Sequence, residues 1–326
     1  MGHWPVLRLN SMLPLIKDNI SLAGYTTYKI GGSADFFCEV ITSQALEEAV
    51  LWAKSRNLPI SILGGGSNLL ISDDGWRGLI LKISNITYEE TGNTLLVGAG
   101  LSLMELVWAA ARHGLSGLEW AAGIPGTVGG AVRGNAGAYG GEMKDNVSRV
   151  LAYNLASGEW RWFTPAELDW AYRSSCFKQD RLWVLWQIEL QLQIGAVVAV
   201  TAATHVILAK RVGLPKEPSA GCVFKNLIWS SLSVDQQQAL VALSQEINHD
   251  KLAAGRLIDS LDLKGQQVGE AAVSLEHANF IVNRGGATAN DVLTLIKEVK
   301  NAVQQKYNLP LATEIELVGF KPENLD

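Results

Sequence analysis

The chain reads as an α+β protein. Short strand-like runs and amphipathic helical stretches follow one another irregularly, without the strand–helix–strand repeat of a doubly wound sheet. The length of 326 residues also exceeds what one ordinary core holds, so two or three domains are expected.

The elements follow in order. Residues 36–41 (Phe-Phe-Cys-Glu-Val-Ile) are an apolar run that predicts a buried strand. Residues 43–56 place Leu46, Val50 and Ala53 on one face and predict a helix. Pro59 to Leu63 is a short strand leading into Gly64-Gly65-Gly66-Ser67-Asn68, and Leu79 to Ile83 is another strand. Ser102, followed by Glu105, has the spacing of a capping box and opens a helix to about His113, with Gly114 as its stop. Val150 to Phe163 predicts a hairpin turning at Ser157-Gly158. A strand at 182–192 and a helix at 200–210 come next. Pro215 and Pro218 mark a boundary. Beyond it, helices are predicted near 233–248 and over 289–306. The last aligns Val292, Leu295, Ile296, Val299 and Val303 behind Thr288 as N-cap.

Composition excludes several classes. Hydrophobic residues are 48% and charged residues 18%, which fits a globular rather than a disordered chain. The net charge is −5 and no Lys/Arg run forms a stripe, so no nucleic-acid partner is expected. No apolar run approaches the ~18 residues of a membrane span, so no membrane insertion is expected. Met12 to Ile16 is too short for a signal peptide. Cys38, Cys176 and Cys222 are spaced too widely for a zinc site or a disulfide framework. No metal is expected, and a reducing, cytoplasmic setting is. Without a secretory signal, Asn85-Ile86-Thr87 is a chance glycosylation triplet.

Two glycine-rich segments carry the chemistry. One is Leu63-Gly-Gly-Gly-Ser-Asn-Leu-Leu70, directly after a strand. The other runs from Gly123 to Gly141. Glycine lets backbone N–H groups converge on an anion, and Ser67, Asn68, Thr127 and Asn135 offer side-chain donors. Neither segment is a Rossmann fingerprint or a P-loop. Tight turns are the plainer reading of Gly129-Gly130 and Gly140-Gly141. Two such loops with interleaved Ser, Thr and Asn favour a phosphate ligand, such as a dinucleotide pyrophosphate.

Further segments, taken in order, carry a family resemblance. They are Tyr25-Thr-Thr-Tyr-Lys-Ile-Gly-Gly-Ser-Ala34, the 63–70 loop, Gly117-Leu-Glu-Trp-Ala-Ala-Gly-Ile-Pro-Gly126 and Asn135-Ala-Gly-Ala-Tyr-Gly140. Then come Tyr172-Arg-Ser-Ser-Cys-Phe-Lys178, Pro218-Ser-Ala-Gly-Cys-Val-Phe-Lys-Asn226, Ala254-Gly-Arg-Leu-Ile-Asp259 and Ala312-Thr-Glu-Ile-Glu316. Over nearly its whole length the chain resembles the UDP-N-acetylenolpyruvoylglucosamine reductases (UDP-N-acetylmuramate dehydrogenases). The short span from Tyr172 to Cys222 is similar to the compact second type.

The resemblance implies an FAD-binding fold of the vanillyl-alcohol-oxidase/PCMH type in two subdomains plus a C-terminal α+β substrate domain. Residues 1–84, with a returning segment 311–326, form the first subdomain, 85–212 the second and 213–310 the substrate domain. It implies non-covalent FAD, NADPH as reductant and a nucleotide-sugar substrate whose enolpyruvyl double bond is reduced in peptidoglycan precursor synthesis. It places FAD against Gly64, Gly65, Gly66, Ser67 and Asn68, against Gly123, Ile124, Pro125, Gly126, Thr127 and Gly129, and against Asn135, Gly137, Ala138 and Tyr139.

The reaction needs a cation at the substrate carboxylate, a group that stabilises the enol and a proton donor. By resemblance these are Arg173, Glu314 and Cys222. A guanidinium grips a carboxylate through two donors and stays charged, which suits Arg173. Glu314 and Glu316 would share a strand face, so spacing does not choose between them. A lone cysteine is otherwise an inert buried residue; at 222 it stands where relatives usually carry serine. A thiol with an ordinary pKa near ~8.5 donates more readily than an aliphatic hydroxyl and is oxidisable. Peroxide sensitivity, relieved in Cys222→Ser, is therefore expected. Tyr172, Lys225, Asn226, Lys264 and His277 match substrate-binding positions, although a structural role for His277 stays open. Two rivals remain. One is another PCMH-type flavin oxidoreductase with non-covalent FAD, since the His or Cys through which many of those tether FAD is absent from the glycine loops. A silent binding protein would have lost Arg173, Glu314 or the protic group at 222.

Overall fold

The computed structural model describes residues 15–321. Residues 12–14 of the Met12 to Ile16 stretch, and 322–326 of the returning segment, lie outside them. A mixed four-stranded sheet has the order Ile16–Ser21, Ser33–Val40, Trp76–Ile83, Ile60–Leu63, with the first pair antiparallel and the others parallel. Alternation divides its side chains between two faces. Cys38, Val40, Leu79, Leu81 and Ile83 join one core, while Phe37 and Ile80 face a smaller cluster with Leu22, Leu63 and Ile71.

The helix Ser43–Lys54 buries Leu46, Ala49, Val50 and Ala53 against the first of these faces. A five-stranded antiparallel sheet shares that core through Val97, Val150, Ala152, Ile188 and Leu190. Its hairpin, Val147–Asn154 with Trp160–Phe163, turns at Gly158 with φ +78°. The helix Leu103–Arg112 starts on Ser102, whose hydroxyl accepts the Glu105 N–H. Asn85 is buried and donates to the Trp186 carbonyl, so the 85–87 triplet is closed to a glycan.

The C-terminal part has its own core, built on the helix Ala289–Tyr307 and a three-stranded sheet, 267–268, 271–273 and 281–283. Val292, Leu295, Ile296, Val299 and Val303 are all buried on the expected stripe. Tyr28, Ile30 and Leu70 enter this core from the first sheet's side of the molecule. Asp73 caps the long helix, accepting from Ala289 N (2.8 Å) and Asn290 N (3.0 Å). The helix expected near 233–248 is shorter. It runs Val234–Ala239 and tightens into a 3-10 segment, Val241–Glu246. Leu240, fully buried, and Leu243 meet the same core. Finally, Glu316–Val318 returns to pair in parallel with Leu69–Ile71, directly after the first glycine loop. Among the described residues no helix is long and apolar enough to cross a membrane.

Candidate active site

The two glycine loops face each other. Ser67 Oγ donates to the Pro125 carbonyl (3.1 Å), stapling one loop to the other. A Cβ on Gly65 would stand 2.6 Å from Gly126 Cα and force the loops apart. Gly66, at φ +62°, backs so closely on Tyr25 that a Cβ would lie 2.0 Å from its carbonyl oxygen. Among the described residues, the N–H groups of Gly65, Gly66, Ser67, Gly126 and Thr127 have no protein acceptor. Five converging donors in a cradle kept open by glycine fit a diphosphate. FAD would be held there through its pyrophosphate, and when bound would supply the hydride relay between NADPH and substrate.

Several residues expected to donate to the cofactor have other partners. Asn135 Nδ2 donates to Glu142 Oε2 (2.9 Å) and the Ala171 carbonyl (3.1 Å), its Oδ1 accepts from Lys144 N, and its N–H donates to Val132. It has no donor left for a phosphate; it fixes the 171 turn. Gly129 N–H donates to the Ala99 carbonyl, and the Gly130 N–H to Thr127 Oγ1. The start of the short helix Val128–Arg133 is thereby filled. Asn68 Nδ2 donates one N–H to the Glu314 carbonyl (3.2 Å). Ile124 N–H closes a turn on Ala121, Gly137 presents its carbonyl to Arg173, and Ala138 leads to Tyr139 at an exposed hairpin tip.

Arg211 was not singled out from the sequence. Its buried Nε has no hydrogen-bond partner, its Cδ stands against Gly123, and its guanidinium lies 5.3 Å from the Tyr139 ring centre. The one signal was its place just beyond Val197–Ala209, a helix without Asp, Glu, Lys or Arg.

The reacting groups meet where the C-terminal part abuts these loops. Ala171 and Ser174 exchange backbone hydrogen bonds of 3.1 Å, leaving Tyr172 and Arg173 as a two-residue turn. Arg173 sits at φ +56°, a costly backbone state for a residue with a side chain. Its Nη1 donates to the Gly137 carbonyl (2.9 Å), and its Nε lies 2.6 Å from Glu314 Oε1. That pair is a charge contact without an aligned hydrogen bond, since the buried Nε lacks one.

Residues 312–314 run beside 223–225. Lys225 N–H donates to the Ala312 carbonyl (2.9 Å), Phe224 bridges Thr313, and Glu314 N–H donates to Val223 (2.7 Å). Cys222 is thus set next to Glu314. Tyr172 Oη accepts from Asn226 N (3.3 Å), and Lys251 Nζ lies 4.3 Å from the Tyr172 ring centre. Asn226 Oδ1 accepts from Ala254 N at the start of the next helix. Lys264 pairs with Asp259 (2.9 Å). His277 accepts from Asn279 N through Nδ1 and packs on Phe280, which favours the structural reading left open for it.

Electrostatics separates the two glutamates. Burial raises the Glu314 carboxyl above its ordinary range, and Arg173 only partly offsets this. Burial also pushes Glu316 upward, but Arg133, by charge and hydrogen bond, and Lys178 together hold it below that range. Two carboxyls with opposed shifts are suited to different tasks, which supplies the physical choice that spacing could not. Burial, then the Glu314 charge, push the Cys222 thiol up to about 12. The expected ordinary thiol is thereby corrected: Cys222 stays protonated at neutral pH, and its oxidisable thiolate is scarce.

Family models match this chain twice. An FAD binding domain matches residues 34–164, and the C-terminal domain of UDP-N-acetylenolpyruvoylglucosamine reductase matches 214–318. A UDP-N-acetylenolpyruvoylglucosamine reductase from Synechococcus sp. (strain RCC307) is 38% identical over 310 residues, covering 93% of this chain and 94% of the relative. The chain belongs to the UDP-N-acetylenolpyruvoylglucosamine reductase family. A reductase from Bacillus velezensis is 37% identical, covering 91% of this chain and 92% of that one. The crystal structure of the Thermus caldophilus reductase superposes with a TM-score of 0.75 at 36% identity, covering 94% of this chain and 100% of that one. The α+β fold with an FAD-binding part is therefore that of this reductase family.

Proposed function

We propose that this chain reduces UDP-N-acetylglucosamine enolpyruvate to UDP-N-acetylmuramate in peptidoglycan precursor synthesis, using FAD and NADPH. The observation that carries the reading is the Arg173–Glu314 pair, set beside Cys222 and tied to the phosphate cradle. Arg173 leaves its interaction with Glu314 to grip the substrate carboxylate, its guanidinium already aimed by Gly137. As charge develops on the substrate's α-carbon and carboxylate, Arg173 stabilises it. Glu314, kept neutral to a higher pH than an ordinary glutamate, donates a hydrogen bond to the developing enol oxygen. Cys222 delivers its proton to the α-carbon, and the thiolate left behind is stabilised by Arg173 and Arg211 until solvent restores the proton.

Tyr172, Asn226 and Lys225, joined to the Arg173 turn and the 312–314 segment, receive the diphosphate of the nucleotide sugar, with Lys264 and His277 as the remaining substrate contacts. This reading takes 15–84 with 311–321 and 85–212 as the two halves of the FAD-binding part, and 213–310 as the substrate domain. The first two share one hydrophobic core. A cytoplasmic enzyme with no nucleic-acid partner is the corresponding expectation.

The test is anaerobic. NADPH is expected to bleach the yellow protein, and the enolpyruvyl UDP-sugar to restore the colour with formation of UDP-N-acetylmuramate. Bleaching that this sugar cannot reverse would overturn the proposal.

A further inference from the structure

Glu314 lies before the strand Glu316–Val318, so the parallel ladder to Leu69–Ile71 begins beyond it. Its backbone is nevertheless held at both polar groups. The N–H donates to Val223 (2.7 Å), and the carbonyl accepts from Asn68 Nδ2 (3.2 Å). Asn68 also grips the same segment through its own carbonyl, which accepts from Glu316 N (2.9 Å). One residue therefore brackets the chain on either side of Ile315. That residue is the last of the glycine loop whose free N–H groups form the phosphate cradle, and its neighbour Ser67 staples this loop to Pro125.

We infer that Asn68 is the positioning residue for Glu314, coupling the cofactor-binding loop to the carboxyl that faces Arg173. This inference rests on the role given to Glu314 above. A short asparagine amide has two N–H donors on one nitrogen, so committing that nitrogen to a partner fixes the direction of the whole side chain. Here one of those N–H groups goes to a carbonyl 246 residues away. A buried carbonyl without that donor loses a partner, and the residue bearing it gains freedom to turn. Glu314 Oε1 stands 2.6 Å from Arg173. Small rotations of this backbone displace the carboxyl from the line joining Arg173 to the substrate, and catalysis is sensitive to displacements of about 1 Å.

The experiment uses the flavin-loaded enzyme and separates the two half-reactions by anaerobic stopped flow. Asn68→Asp keeps the shape but replaces the donor with an acceptor; Asn68→Ala removes the group altogether. Both variants are expected to slow reoxidation by the enolpyruvyl sugar about tenfold. Flavin reduction by NADPH and the FAD dissociation constant are expected to stay within about twofold of wild type. In a Glu314→Ala background, adding Asn68→Ala is expected to slow reoxidation no further, because the group being positioned is already gone. Independent, additive losses would overturn the inference. So would equal slowing of both half-reactions, or a loss traced to weaker FAD binding. A Glu314→Ala enzyme with normal reoxidation would instead sink the role of Glu314 itself. Normal Asn68 variants beside a slow Glu314→Ala enzyme would remove only the coupling. Asn68→Asp is isosteric, so it carries the test should the alanine variant fail to fold.

Discussion

Glu314 and Glu316 are two residues apart and are pushed in opposite directions, which has separate consequences for rate and for stability. A step using the neutral Glu314 carboxyl is fully available below its raised pKa and declines as pH climbs through it. Substrate-driven reoxidation is therefore expected to fall on the alkaline side in wild type. That limb is expected to flatten in Glu314→Gln, which has no proton to lose; stopped-flow rates across pH check this. Glu316 behaves the other way. Its lowered pKa gives stability that is present above the ordinary glutamate value near ~4.3 and is lost as pH falls through the depressed one. Glu316→Gln is expected to flatten the acid limb of Tm against pH. For Cys222, a thiol pushed up to about 12 is almost wholly protonated at pH 7. Wild type is then expected to withstand millimolar peroxide nearly as well as Cys222→Ser, while Cys222→Ala loses turnover. Arg173, Glu314 and Cys222 were legible at this scale through the residues that flank them. The Arg173–Glu314 contact, the partners of Asn68 and Asn135, and the exposure of Arg211 to the site were not. The Arg173–Glu314 and Asn68–Glu314 contacts join residues far apart in the chain, and the Asn135 contacts depend on how its loop folds back, so no periodic pattern records them.

At the scale of elements, periodicity served well where one face meets a core. The 289–307 helix shows it: the apolar stripe, the Thr288 cap and the length all followed from local spacing. Its second cap did not, because Asp73 reaches it from 216 residues away. Two N–H groups at the helix start bind one carboxylate, which also faces the positive end of the helix dipole. Asp73→Ala is expected to cost about 1–2 kcal/mol, read as a lower Tm with unchanged helix content. The 233–248 region went the other way. Its pattern suggests one continuous helix, but apolar spacing of three residues suits an α-helix and a 3-10 turn alike, so it does not show where Val234–Ala239 gives way to the 3-10 segment.

For the whole molecule, the α+β class was readable from the irregular order of elements, while the sharing of cores was not. A single core joins the first sheet to the five-stranded sheet, and a second takes in Tyr28, Ile30 and Leu70 together with the C-terminal elements. The returning strand closes the arrangement by pairing beside the first glycine loop. Truncation after residue 311 is expected to release FAD as well as to abolish turnover, because the loop loses the strand that pairs directly beyond it. Flavin absorbance retained through gel filtration would contradict this.

The same returning strand gives the enzyme a timetable. Glu314 leaves the ribosome 246 residues after Asn68. At 5–20 residues per second, that is roughly 12–50 s during which the glycine loop exists without its final partner. A nascent chain carries all the N–H groups of its cradle well before it has the strand that braces them. Stable flavin capture belongs to the end of synthesis, and a shortage of FAD would be felt first by freshly finished chains rather than by those still being made.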